Sequence, residues 1–80
     1  MLAHEHIVIS AVRYAIGRMT YIVDITVNYV LDEMEQHNLS DRCLAVIRDD
    51  IKEAQRQNNL GMKCDEIEWI KLLNRIEEVI

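Results

Sequence analysis

Proline and phenylalanine are absent from these 80 residues, glycine occurs only at positions 17 and 61, and aromatic residues make up 5% of the chain. Without proline or frequent glycine the chain lacks the punctuation that a sandwich or barrel of short strands requires, so long uninterrupted helices are expected. Only two cysteines occur, Cys43 and Cys64. That is too few for a disulfide framework, and with no charged-then-apolar leader they read as reduced thiols of a cytoplasmic protein, in a host cytoplasm if the source is a phage. Arg13, Arg18 and Asp24 interrupt the longest apolar region, which falls short of the ~18 uncharged residues of a membrane span. An excess of positive charge is missing as well. The formal net charge is −5, which disfavours coating a nucleic acid through counterion release and disfavours docking on an anionic membrane.

Half of the residues are hydrophobic. Residues 1–80 therefore read as a single helical domain, near the size at which one core is marginal and self-association supplements it, so a homodimer is expected. The predicted fold is all-α: a compact bundle of three to four helices behind a long hydrophobic N-terminal segment with a break or kink at Gly17.

That segment runs from His6 to Glu35. Its polar residues His6, Ser10, Arg13, Gly17, Thr20, Asp24, Asn28, Asp32 and Glu35 recur at steps of three or four, the period of an α-helix, and apolar residues fill most of the remainder. So narrow a polar edge requires cover on two sides. Gly17 permits two chain paths. It could close a helix in a left-handed conformation, with Arg18-Met19 as the turn and Thr20 as the next N-cap, or a continuous helix of about 30 residues could run through it. The β-branched run Tyr21–Val27 is also compatible with a strand, but it continues into the helical spacing Val27, Val30, Leu31, Met34.

Ser40 predicts the N-cap of a third helix, with Leu39 placed to pack on Leu44. Leu44, Ile47, Ile51 and Ala54 form its apolar stripe, opposite Arg48, Asp49, Lys52, Glu53 and Arg56. Asn58-Asn59-Leu60-Gly61 signals a C-terminus. A last helix is expected after Cys64, opened by Asp65 and Glu68 as a capping box and buried through Trp69, Leu72, Leu73, Ile76 and Ile80. Short connections imply that chain neighbours pack antiparallel.

Catalytic chemistry finds little support. His4, His6, His37, Cys43 and Cys64 are ligand types, but the cysteines are far apart and His4-x-His6 sits at a terminus expected to fray, so no metal site is predicted. Cys64 precedes a helix start, yet Asp65, Glu66 and Glu68 oppose its thiolate. Adjacent pairs such as Asp49-Asp50 and Glu77-Glu78 diverge by about 100° on a helix. No phosphate loop, dinucleotide fingerprint or nucleophile elbow occurs. The expectation is a non-enzyme with no catalytic residues and no cofactor.

Charge is distributed unevenly. From Tyr21 to Ser40 there is no Lys or Arg against Asp24, Asp32, Glu33 and Glu35, which gives −4 of the chain's −5. Upstream lies Arg13, Tyr14, Arg18 and Tyr21, residue types common at protein interfaces. An internal role, in which the arginines tie this segment to acids on other helices, competes with an exposed binding patch. The candidate partner-binding residues are Arg13, Tyr14, Arg18, Tyr21, Asp24, Asp32, Glu33 and Glu35.

Two stretches, RYAIGRMTYIV (Arg13–Val23) and GMKCDEIEW (Gly61–Trp69), resemble a family of short uncharacterised proteins of Gram-positive bacteria and prophages. The resemblance carries no active site. It implies a phage or mobile-element accessory protein, a group in which small acidic single-domain proteins inhibit host defences such as CRISPR–Cas by occluding a protein surface. The expected function is accordingly a protein-binding module of that kind. Alternatives are a small nucleic-acid-binding regulator using Arg13, Arg18 and the Arg48 ridge, and a purely structural homodimer.

Overall fold

The computed structural model describes all residues from Met1 to Ile80. Four helices follow one another with no strand: α1 (Ala3–Ala15), α2 (Thr20–His37), α3 (Asp41–Arg56) and α4 (Lys63–Val79). The Cα radius of gyration of 11.4 Å is close to the about 11.6 Å expected of a compact chain of this length, so no arm extends from the bundle.

Gly17 stands between α1 and α2 at φ +79°. Ile16 caps α1, its N–H bonding back to Val12 O, and the Arg18 N–H closes the turn on Ala15 O at 2.9 Å. The left-handed backbone at position 17 is one that glycine adopts without a Cβ clash. Thr20 is not the cap of α2 but its first residue. Met19 occupies the N-cap, with no side-chain hydrogen bond to the helix.

Ser40 caps α3, its hydroxyl accepting from Cys43 N at 3.2 Å, and Leu39 and Leu44 are both buried as a staple requires. Leu44, Ile47, Ile51 and Ala54 are all buried on one stripe. The start of α4 differs from the sequence reading. Met62 is its N-cap, and Asp65, three residues later, turns back so that Oδ2 accepts from Met62 N at 3.1 Å. Asp65 is thus a buried member of the first turn rather than the cap. Ile80 lies beyond the end of the helix, exposed, while Trp69, Leu72, Leu73 and Ile76 fill the core.

Adjacency in the bundle does not follow adjacency in the chain. α1 packs on α2 and α3, and α4 packs on α2 and α3, whereas α2 and α3 make no mutual contact although only three residues join them. α1 and α3 run in the same direction, since Glu5 near the start of α1 reaches Ser40 at the start of α3 and Arg13 reaches Asp50. Thr20 and Cys64 likewise bring the starts of α2 and α4 together. The α1–α2 turn and the α3–α4 connection therefore share one end of the molecule. At that end Asn59 lies against Gly17.

Candidate interaction surface

Each proposed contact residue has a definite place. Arg13 projects from α1 and its Nε donates to Asp50 Oδ2 at 2.7 Å, a tie to α3 that raises the guanidinium pKa. Arg18 meets no acid. It folds back on its own turn, Nε donating to Tyr14 O at 3.1 Å while the guanidinium lies 4.7 Å from the centre of the Tyr14 ring. This stack holds two interface-type side chains together without burying them, and Tyr14 remains 60% exposed. The internal and exposed readings of the arginines thus divide between the two residues.

Tyr21 is 59% exposed, one turn before Ile25, which is also exposed. Advancing about 100° per residue from the buried line of Val23, Val27 and Val30, residues 24, 28, 32 and 35 fall on the solvent side of α2. Asp24, Asp32 and Glu35 consequently share an acidic stripe. Glu33 does not belong to it. It points along the flank that meets α1, half-buried, with Oε2 3.5 Å from His37 Nε2, and His37 in turn packs on His4 at 5.8 Å between ring centres. Burial, together with the Glu33 carboxylate, pushes the nearby Tyr29 phenol up. His4 is thus part of α1 and held against α2, not a frayed terminus. No group of three or more His, Cys, Asp or Glu is arranged to hold a metal ion.

The Arg48–Lys52–Arg56 ridge is matched acid by acid. Arg48 pairs with Asp49 at 3.1 Å, Lys52 reaches across to Glu77 on α4 at 2.9 Å, and Arg56 binds Glu53 one turn back. The two thiols differ sharply. Cys43 is buried among core residues, and desolvation, with the Glu5 carboxylate adding to it, pushes its pKa up to about 11. Cys64 is exposed, with Thr20 Oγ1 at 3.7 Å and Asp65 Oδ1 at 3.8 Å.

The side chains around Cys64 form a feature that the sequence does not announce. The α1–α2 turn and the start of α4 wall a groove lined by Gly17 to Tyr21, Asp24, Met62, Cys64 and Glu68. At its lips stand Met19, 65% exposed, and Met62, 69% exposed. The available signal was the position of each methionine just before a helical pattern, where a serine, threonine or aspartate normally serves.

No family model matches this chain, and neither a curated protein nor a solved structure matches it.

Proposed function

We propose that this chain is a non-enzymatic protein-binding module, an accessory of a phage or mobile element that blocks a host defence effector such as a CRISPR–Cas component by covering part of its surface. The observation that carries the reading is the set of large apolar side chains left in solvent although the core is filled: Ile7, Tyr14, Met19, Tyr21, Ile25, Met62 and Ile67. Scattered singly they would mean little, but Met19, Tyr21 and Met62 line one groove, Tyr14 flanks the same turn, and the acidic stripe of α2 follows. Against the nucleic-acid alternative stand the net charge of −5 and the pairing of five of the nine cations, Arg13, Arg48, Lys52, Arg56 and Arg75, with carboxylates.

A plaque assay tests the proposal. Expressed in bacteria armed with an active CRISPR–Cas system, the chain is expected to restore plaquing by a targeted phage, and Asp32→Lys with Glu35→Lys to abolish that restoration. Failure of the parent chain on armed hosts would sink the anti-defence reading. Restoration that survives both charge reversals would remove the acidic stripe from the mechanism. Self-association has its own observation, the exposed run Ala3, Ile7, Ser10 and Tyr14 along α1, whose spacing suits an isologous helix pairing. Sedimentation of the parent beside Ile7→Ser separates monomer from dimer.

A further inference from the structure

The groove at the turn end departs from ordinary helix construction at both walls. The two helices that open into it, α2 and α4, have Met19 and Met62 as N-caps, neither with a side-chain hydrogen bond to its helix; Leu2 begins α1 in the same way, but only these two stand together at one groove. A polar N-cap would stabilise each helix by about 1 kcal/mol, and local rules of this kind are broken most often where a surface has another task. Methionine suits such a task because its unbranched thioether reshapes itself around different apolar partners. Between the methionines the wall is Tyr21, Thr20 and the exposed Cys64.

Charge decides what could lie there. The side chains lining the groove that carry charge near neutral pH are Arg18, Asp24, Asp65 and Glu68. Asp65 is buried and spoken for, accepting from Met62 N and from the Cys64 thiol. Arg18 is turned onto Tyr14, so its guanidinium neutralises neither remaining acid. Asp24 accepts only a long hydrogen bond from Asn28 at 3.5 Å. Glu68 is less satisfied still: its Oε2 is shielded from solvent and has no hydrogen-bond partner. An unpaired carboxylate oxygen in such a place is costly until a donor arrives. The groove therefore combines adaptable apolar lips with two acids that lack cations.

We propose that this groove receives a basic amphipathic segment of a partner protein, its apolar side chains seated between Met19 and Met62 and a lysine or arginine donating to Glu68 and Asp24. The proposal rests on the protein-binding reading above and adds the chemistry of the partner. A second copy of this chain is a poorer occupant, because it would bring a body of net charge −5 against an acidic groove.

A fluorescently labelled amphipathic Leu/Lys peptide and its Leu/Glu counterpart provide the test, read by anisotropy and by protection of Cys64 from iodoacetamide. The Leu/Lys peptide is expected to bind at a one-to-one ratio and slow alkylation of Cys64. Glu68→Gln, and separately Met19→Ser with Met62→Ser, should weaken it about tenfold, which is ~1.4 kcal/mol, whereas Asp49→Asn on α3 removes the same charge and should leave affinity within about twofold. Equal losses for Glu68→Gln and Asp49→Asn, equal binding of the acidic peptide, or an unprotected Cys64 would each overturn the proposal. So would a dimer in which Cys64 is already protected without peptide. In the plaque assay, a Met19→Ser, Met62→Ser chain that still restores plaquing discards the groove and keeps the module. Peptide binding by a chain without any plaquing effect keeps the groove and discards the anti-defence role.

Discussion

Single residues set the two ends of the molecule. Glu5 is almost wholly buried, and its carboxylate joins three segments, Oε1 accepting from Leu2 N at 3.1 Å and Oε2 from Ser40 N at 2.7 Å. The Ser40 N–H chiefly holds its pKa below the usual carboxylate value. A depressed folded value means that the stability it brings is complete above the unfolded value of about 4.3 and is lost as pH falls through the lower folded value. Glu5→Gln should therefore melt below the parent at pH 7, with the gap closing under about pH 4, as thermal unfolding from pH 7 to pH 3 will register. At the opposite end the two glycines differ in what surrounds them. A Cβ at Gly17 would stand 3.2 Å from the Asn59 side chain, which can move aside, whereas one at Gly61 would stand 2.7 Å from Asp65 Oδ2, which is tied to Met62. Both sites carry the left-handed penalty of about 1 kcal/mol. Gly17→Ala should cost about that much, and Gly61→Ala about 2 kcal/mol or more because the buried carboxylate must also shift; chemical denaturation of the two variants gives the order.

At the scale of the helix, the caps are of two kinds: Ser40 bonds its helix through its side chain, whereas Leu2, Met19 and Met62 do not. Ser40 is a conventional cap, and Ser40→Ala should destabilise α3 and the protein by ~1 kcal/mol. Met19 and Met62 already have the extended backbone a capping serine needs, with φ/ψ of −74°/152° and −73°/162°. Met19→Ser and Met62→Ser are accordingly expected to raise stability by about 0.5 kcal/mol or more each, measured as a higher Tm, while weakening the peptide complex. Gain of stability with loss of binding is the pattern of a surface kept for recognition. No change in Tm would mean that other acceptors already serve the free N–H groups of these helix starts.

Considered as a whole, the molecule is a square of helices closed at its corners by α1–α2, α2–α4, α4–α3 and α3–α1 packing. Trp69 lies fully buried in the core, and its indole N–H has no acceptor. As the only tryptophan it should emit at short wavelength in the folded protein and shift to the red on unfolding. Its transition should coincide with the loss of helical circular dichroism if the four helices unfold as one unit. Separate transitions would show that one corner opens first.

The amino-acid pattern was sufficient for what depends on short-range periodicity. The absence of proline and the 3.6-residue spacing specified an all-α chain, the stripe Leu44–Ala54 specified the buried face of α3, and Ser40 specified its start, because each follows from neighbours within two turns. Where α4 begins was misread, since Asp65 is a common cap type and only the Gly61 turn, which brings Met62 N onto its carboxylate, makes it an interior residue. Glu33 looked equivalent to Asp32 and Glu35 in the sequence, and helix rotation against α1 placed it on another flank. The partner of Arg13 and the groove between Met19 and Met62 depend on residues 37 and 43 positions apart coming together, and the diagonal placement of α2 and α3 on the packing of α1 with α3 and of α2 with α4. Local propensity carries no term for such distances. They were decided by how four amphipathic faces bury their apolar stripes at once, and that is a property of the packed tertiary structure alone.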